Sequence, residues 1–301
     1  MNRKEASSLI ASLNDSQAEA VRYYSGPQLV LAGAGSGKTR VLAHKFAWLV
    51  SEHGLDPRSI MAVTFTNKAA REMRERINRL LGVDLAGLEV GTFHSWGLRF
   101  LIRNHRELER ITGRRAATIF DRADTRSLVK AIMKELGIDP GQYEPGWVVE
   151  RLCRAKSEGD PRTLNIGEQD FPIGPIYSKY QEGLARQGAV DFEDLLVLPL
   201  HLIVNDSNVR ERERERIDWI LVDEYQDVNR PQYLLLKALS SGREKIMVVG
   251  DPDQSIYGWR GADMNMILNF EKDFPDAKVF VLEQNYRSTQ NILGGANGVI
   301  R

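Results

Sequence analysis

One cysteine, Cys153, gives the 301-residue chain no means of forming an internal disulfide, which fits a reducing compartment. There is no surplus charge either. Lys+Arg and Asp+Glu both total 41, so no global field draws in a polyanion and any basic track must be local. Long apolar runs are also missing. The longest, "LLVLPLHLIV" from Leu195 to Val204, is too short to span a bilayer and is interrupted by Pro199 and His201. The opening "MNRKEASSLIASLNDSQ" has neither a sustained apolar core nor a cleavage signal. Disulfide-stapled and membrane-spanning classes fall away, no membrane partner is expected, and a cytoplasmic location is expected by default. Internal repeats are not visible.

What is present is ordinary for a globular protein: 42% hydrophobic and 27% charged residues, over a length that suggests two folding units. The first third alternates in type. "QLVLAG", "SIMAVTF" and "LEVGTF" are short apolar runs of strand character. Between and after them "KTRVLAHKFAWLVSEHG", "NKAAREMRERINRLLG" and "HSWGLRFLIRNH" have helical spacing, with Val41, Leu42, Phe46 and Leu49 near one face of the first. Strand alternating with helix predicts a parallel α/β sheet with crossover helices.

From about Thr112 to Val190 the pattern changes. "DTRSLVKAIMKELG", "EPGWVVERLCRAKSEG" and "GPIYSKYQEGLARQG" read as helices separated by Gly/Pro turns, with no strand among them. "WILVDEYQD", "EKIMVVGD" and "KVFVLEQN" then restore the buried-strand pattern. The expected organisation is one α/β domain, residues 1–111 and 191–280, interrupted by an all-helical insertion at 112–190, with 281–301 opening a further domain. The charge run "VRERERERI" (Val209 to Ile217) reads as a solvated helical face.

"AGAGSGKTR", Ala32 to Arg40, follows a strand and opens a helix, the context a P-loop requires. Backbone N–H groups of Gly33, Ala34, Gly35, Ser36 and Gly37 can wrap phosphate oxygens, and the helix N-terminus favours anions. Lys38 would reach the β- and γ-phosphates, and Thr39 would place its hydroxyl on Mg²⁺. The first position of the pattern is Ala32 rather than glycine.

A P-loop enzyme also needs a carboxylate at the end of a neighbouring strand. Asp223 in "WILVDEYQD" would hold Mg²⁺, and Glu224 can take a proton from an attacking water. Taken alone, two acids there fit helix capping equally well. Gln254, just past a third buried strand, could orient water beside the γ-phosphate. In "DQSIYGWRGA", Tyr257 and Trp259 suit either a base-stacking platform or core packing.

"LNDSQAEAV", "AGAGSGKTR", "TFTNKAAREM", "GTFHSW", "LVDEYQD", "VVGDPDQSIYGWRGA" and "LEQNYRS" stand in the order found in superfamily 1A DNA helicases. The chain resembles that family over nearly its whole length, most nearly the UvrD, PcrA and Rep group. The resemblance implies a RecA-like P-loop NTPase fold with an inserted helical subdomain, use of ATP and Mg²⁺, and action on single-stranded DNA and ss/ds junctions with 3′-to-5′ polarity. It also implies protein partners in repair or replication. By the same resemblance Gln17 reads adenine, Tyr286 stacks on it, Arg40 lies beside the nucleotide, and Arg287 is an arginine finger on the γ-phosphate. Phe65, Asn67, His94, Tyr257, Trp259 and Arg260 fall in segments lining the family's DNA path.

The chain stops at Arg301, shortly after "LEQNYRS", so it reads as the N-terminal half of a helicase without most of the second motor domain. Three other readings stay open. A small-molecule kinase leaves "TFTNKAA" and "SIYGWRGA" without a purpose. The others are a module that binds ATP and DNA without turnover and a helicase–nuclease whose acidic cluster lies beyond Arg301.

Overall fold

The computed structural model describes residues 9–158, 171, 173–255 and 264–289. The chain divides into two compact units: Met1–Phe93, Glu211–Asn229 and Leu239–Arg301 form one, and His94–Arg210 with Arg230–Ala238 the other. The segment 112–190, expected from sequence to be a helical insertion, falls inside the second.

Eight strands occur among the described residues: β1 (Gln28–Ala32), β2 (Ile60–Thr64), β3 (Val90–Thr92), β4 (Thr118–Ile119), β5 (Ala189–Val190), β6 (Trp219–Val222), β7 (Ile246–Gly250) and β8 (Lys278–Leu282). Six of them build the first unit's sheet in the order β3-β2-β6-β7-β1-β8, every pair parallel. β2, β6 and β7 are buried throughout, as near-continuous apolar runs demand when helices cover both faces. All six strands point the same way, so the segments after them emerge along one edge, where ligands of open α/β sheets bind.

The helix Lys38–His53 runs from Gly37 (φ 90°) to Gly54 (φ 65°), both left-handed, the second a C-cap that only glycine adopts cheaply. The expected face of Val41, Leu42, Phe46 and Leu49 is wholly buried, but so are Ala43, His44, Lys45 and Ala47. Lys45 is accommodated because its ammonium donates to Val21 O (3.2 Å) and Tyr23 O and lies 4.5 Å from the Trp219 ring. Burial, with the nearby Lys245 charge, pushes it down to about 7. The helix Asn67–Leu81 starts on Thr66, whose hydroxyl accepts from Ala69 N at 3.1 Å, and stops at left-handed Gly82.

The second unit has its own core, including Val129, Met133, Val148, Leu152, Ile176, Tyr180 and Leu184. It is helical as expected but for one departure: β4 and β5 form a parallel pair, Thr118 opposite Ala189 and Ile119 opposite Val190. Two residues per strand are too few to show a period-2 pattern. The apolar run flagged as the longest is the helix Asp194–Asn205, with Pro199 inside it. Proline has no N–H for Leu195 O, four residues back. Gly97 brings bare backbone against that oxygen: a Cβ at 97 would stand 1.8 Å from it. Buried Lys156 meets Asp191 Oδ2 at 2.6 Å and Asp194 Oδ1 at 2.8 Å, and Arg114 donates to Asp194 Oδ2 at 3.0 Å.

The charge run is not a plain solvated face. Val209 and Ile217 are buried, and so is Glu213. Arg216 lies 3.1 Å from Glu213 and donates to Glu89 at 3.0 Å. Opposite charges at i,i+3 let the helix turn one acid inward without leaving it unpaired.

Candidate nucleotide site

Ala32 is the last residue of β1, paired with Leu282 and buried. It sits in extended backbone, so this position needs no glycine. The turn itself does: Gly35 has φ 72° and Gly37 φ 90°. Ser36 closes the turn on Gly33 O, through its N–H at 3.2 Å and its hydroxyl at 2.7 Å. Among the described residues no side chain caps the helix that follows, which leaves its first turn open in the arrangement that suits an anion.

Lys38 is buried. Its ammonium lies 3.1 Å from Glu224 Oε2 but has no hydrogen-bonding partner among the described residues. A buried cation with so little satisfied is a strong attractor for anionic oxygens. One residue on, Thr39 Oγ1 donates to Asp223 Oδ2 at 3.0 Å. Asp223 follows β6 directly and its N–H donates to Val63 O of β2 at 2.9 Å. Burial pushes its carboxyl up to about 6, and the adjacent Glu224 charge pushes the same way. Asp227 is raised to about 6 for the same two reasons. Glu224 has left-handed backbone (φ 50°, ψ 51°), an uncommon state for a residue with a side chain.

The end of β7 joins this group. Gln226 donates from Nε2 to Glu224 Oε2 at 2.9 Å and accepts at Oε1 from Asp251 N at 2.9 Å. Gln254 donates to Asp251 Oδ2. Sequence reasoning named Gln254 but gave Gln226, Asp227 and Asp251 no role, although all three lie inside the quoted strings.

Gln17, Arg40 and Tyr286, expected beside the adenine, occupy the first unit as well. Gln17 is buried and donates from Nε2 to Ser36 O at 2.8 Å, while its Oε1 accepts from Asn14 N at 3.3 Å in a capping box. Its amide thus braces the P-loop. Arg40 donates to Ser12 O at 2.6 Å. Tyr286 is 53% exposed, and its hydroxyl accepts from Asn14 Nδ2 at 2.8 Å. The segment after β8 rests on the loop: Tyr286 N donates to Gly35 O at 2.9 Å, Asn285 Nδ2 donates to Ala34 O, and a Cβ at Gly35 would meet Arg287 Cβ at 2.6 Å. Arg287 therefore lies beside the phosphate loop.

Of the expected DNA residues, Phe65 follows β2 half-buried and Asn67 opens the next helix exposed. His94 belongs to the second unit and stacks on Phe192 with centroids 3.8 Å apart. Burial holds its imidazole down to about 4. Phe192 is 54% exposed, an unusual outlay for a large apolar ring. It was not singled out from sequence; the signal was a phenylalanine between the acids of "VDFEDLL", just past a strand end. Tyr257, Trp259 and Arg260 lie outside the described residues.

A glycine-rich loop after β1 and paired acids after β6, on one edge of a parallel sheet flanked by helices, define a RecA-like P-loop domain. Residues 13–275 match the UvrD/REP helicase N-terminal domain, and the chain belongs to that family. It is 44% identical over 297 residues to the ATP-dependent DNA helicase PcrA of Bacillus subtilis (strain 168), covering 97% of this chain and 40% of that protein. Proteins of the same name from Staphylococcus epidermidis (strain ATCC 12228 / FDA PCI 1200) and Staphylococcus aureus (strain NCTC 8325 / PS 47) are 43% identical, with the same coverage. The chain thus spans about two fifths of the length of the curated relatives it matches. Among the described residues no helix is long and apolar enough to cross a membrane.

Proposed function

We propose that this chain is the nucleotide-hydrolysing part of an ATP-dependent DNA helicase or translocase that moves 3′ to 5′ on single-stranded DNA. One observation carries the reading: the P-loop and the acids after β6 meet side chain to side chain, Lys38 against Glu224 and Thr39 against Asp223. Lys38 would bind the β- and γ-phosphates. Glu224 would accept a proton from the attacking water, which Gln254 would orient. Arg287, beside Gly35, would meet the γ-phosphate. Gln17 and Tyr286 would serve the adenine, with Arg40 nearby.

Mg²⁺ fits the donor set, because a hard cation takes oxygen ligands and the Thr39 hydroxyl and Asp223 carboxylate already converge. When bound, the ion neutralises charge on the phosphate oxygens. On the DNA side, the exposed Phe192 ring backed by His94 supports a stacking role, alongside Phe65, Asn67, Tyr257, Trp259 and Arg260. Unwinding is assigned to the whole protein, because inchworm movement needs two motor domains closing and opening about ATP. A cytoplasmic protein acting at ss/ds junctions, with partners in repair or replication, follows from the same reading.

The test is ATP hydrolysis by the full-length protein with Mg²⁺, with and without a single-stranded oligonucleotide. Hydrolysis stimulated by the oligonucleotide is expected. Hydrolysis indifferent to DNA, or none at all, would overturn the reading.

A further inference from the structure

We propose that Gln226 is a positioning residue for this hydrolysis: it fixes the Glu224 carboxylate and locks it to the loop after β7. The inference rests on the nucleotide-hydrolase reading above and deepens it.

Gln226 is 2% exposed and its amide is used at both ends. Nε2 donates to Glu224 Oε2 at 2.9 Å and stands 3.4 Å from Asp227 Oδ2, while Oε1 accepts from Asp251 N at 2.9 Å. Asp251 in turn accepts from Gln254 Nε2. The two residues assigned to the attacking water, Glu224 and Gln254, are therefore joined through Gln226 and Asp251.

Two features show that the fold is built around this amide. Gly250 ends β7, and a Cβ there would stand 2.8 Å from Gln226 Oε1 and 3.3 Å from Gln226 N. Ile267 Cδ1 stands equally close at 2.8 Å, so a side chain at 250 would crowd the amide and this isoleucine together. Glu224 has left-handed backbone, a state that persists only where surrounding contacts hold it. Among the described residues its carboxylate has two near neighbours, Lys38 at 3.1 Å and Gln226 at 2.9 Å. Once a triphosphate draws Lys38 away, Gln226 is the donor that remains among the described residues. An amide supplies a donor and an acceptor at once without charge. A carboxylate in its place keeps the acceptor toward Asp251 N and replaces the donor toward Glu224 by a like charge.

The test uses the full-length protein with Gln226→Glu. Turnover of ATP is expected to fall about 10- to 100-fold, the effect of removing a hydrogen bond to a charged group. KM for ATP and affinity for a non-hydrolysable ATP analogue should stay within about twofold of wild type. A residue that merely props the loop through Asp251 predicts the opposite, since Gln226→Glu keeps that contact: wild-type kcat in this variant overturns the inference. Should the variant fail to fold by circular dichroism, Gly250→Ala decides by the same split of kcat against KM, because it displaces the amide from the opposite side. Wild-type protein that hydrolyses no ATP overturns the functional reading and the inference together. Wild-type hydrolysis with unaltered kcat in the variants overturns the inference alone.

Discussion

Lys38 Nζ lies 3.1 Å from Glu224 Oε2, so the cation assigned to the phosphates and the base assigned to the water hold each other. Each masks the other's charge. A triphosphate would exchange one anionic partner of Lys38 for another, which spares the cost of baring a buried ammonium. The same exchange would release Glu224 toward the water. Binding and activation of the base would thereby be tied to one side chain.

Lys38→Ala should weaken ATP binding at least about tenfold, the loss expected when a charge-assisted contact to phosphate is removed. Isothermal titration with Mg-ATP measures it, and circular dichroism checks that the fold survives. Equal affinity in variant and wild type would remove Lys38 from the phosphate site.

Glu224→Gln should leave ATP affinity undiminished, because the variant also frees Lys38 from its ion pair. Steady-state turnover in the full-length protein should drop by about 10²- to 10⁴-fold, the usual worth of a positioned general base. Turnover near wild type would exclude Glu224 from that role.

Phe192→Ala should weaken binding of a short single-stranded oligonucleotide about tenfold to a hundredfold, as expected for one lost stacking contact. Phenylalanine carries no charge, so the dependence of log K on log salt should keep its slope. A changed slope with unchanged affinity would point away from stacking.

His94 sets a pH window. Its folded value of about 4 lies below the ordinary 6.5. Between those limits the unfolded chain binds more protons than the folded one, so stability rises with pH across the window and the contribution is complete above 6.5. His94→Phe keeps a ring against Phe192 and removes the titration. Its melting temperature should climb less steeply than that of wild type from pH 4 to 6.5; parallel slopes would refute the assignment.

Much of this was legible in the residues because strand and P-loop patterns are local. "QLVLAG", "SIMAVTF" and "EKIMVVGD" announced buried strands, and "AGAGSGKT" announced its own turn. The β4–β5 pair was not legible, since two extended residues carry no period. Nor was the inward turn of Glu213, which depends on Arg216 and on Glu89 from a distant stretch of chain. Gln17 shows a third kind of limit. Its type and place were read from the chain, but its bond to Ser36 O and its share of a capping box appear only when the P-loop is folded against it. Gln226 was hidden in plain view within "DEYQD", because its meaning lies in Gly250 and Asp251 of another strand end.

β1, the strand that carries the phosphate loop, sits between β7 and β8, with Gln28 in register with both Met247 and Lys278. Both neighbours come from the far end of the described chain. The second unit is different: apart from Arg230–Ala238 it is one uninterrupted stretch, His94–Arg210, that closes its own core. Contacts between residues close in sequence form before those that must close a long loop. During synthesis from the N-terminus, the helical unit can therefore complete itself while β1 still waits for its flanks. A chain ending before β7 would carry the P-loop sequence on a strand that lacks both of its partners. The loop after β1 is thus framed by strands that are made long after it.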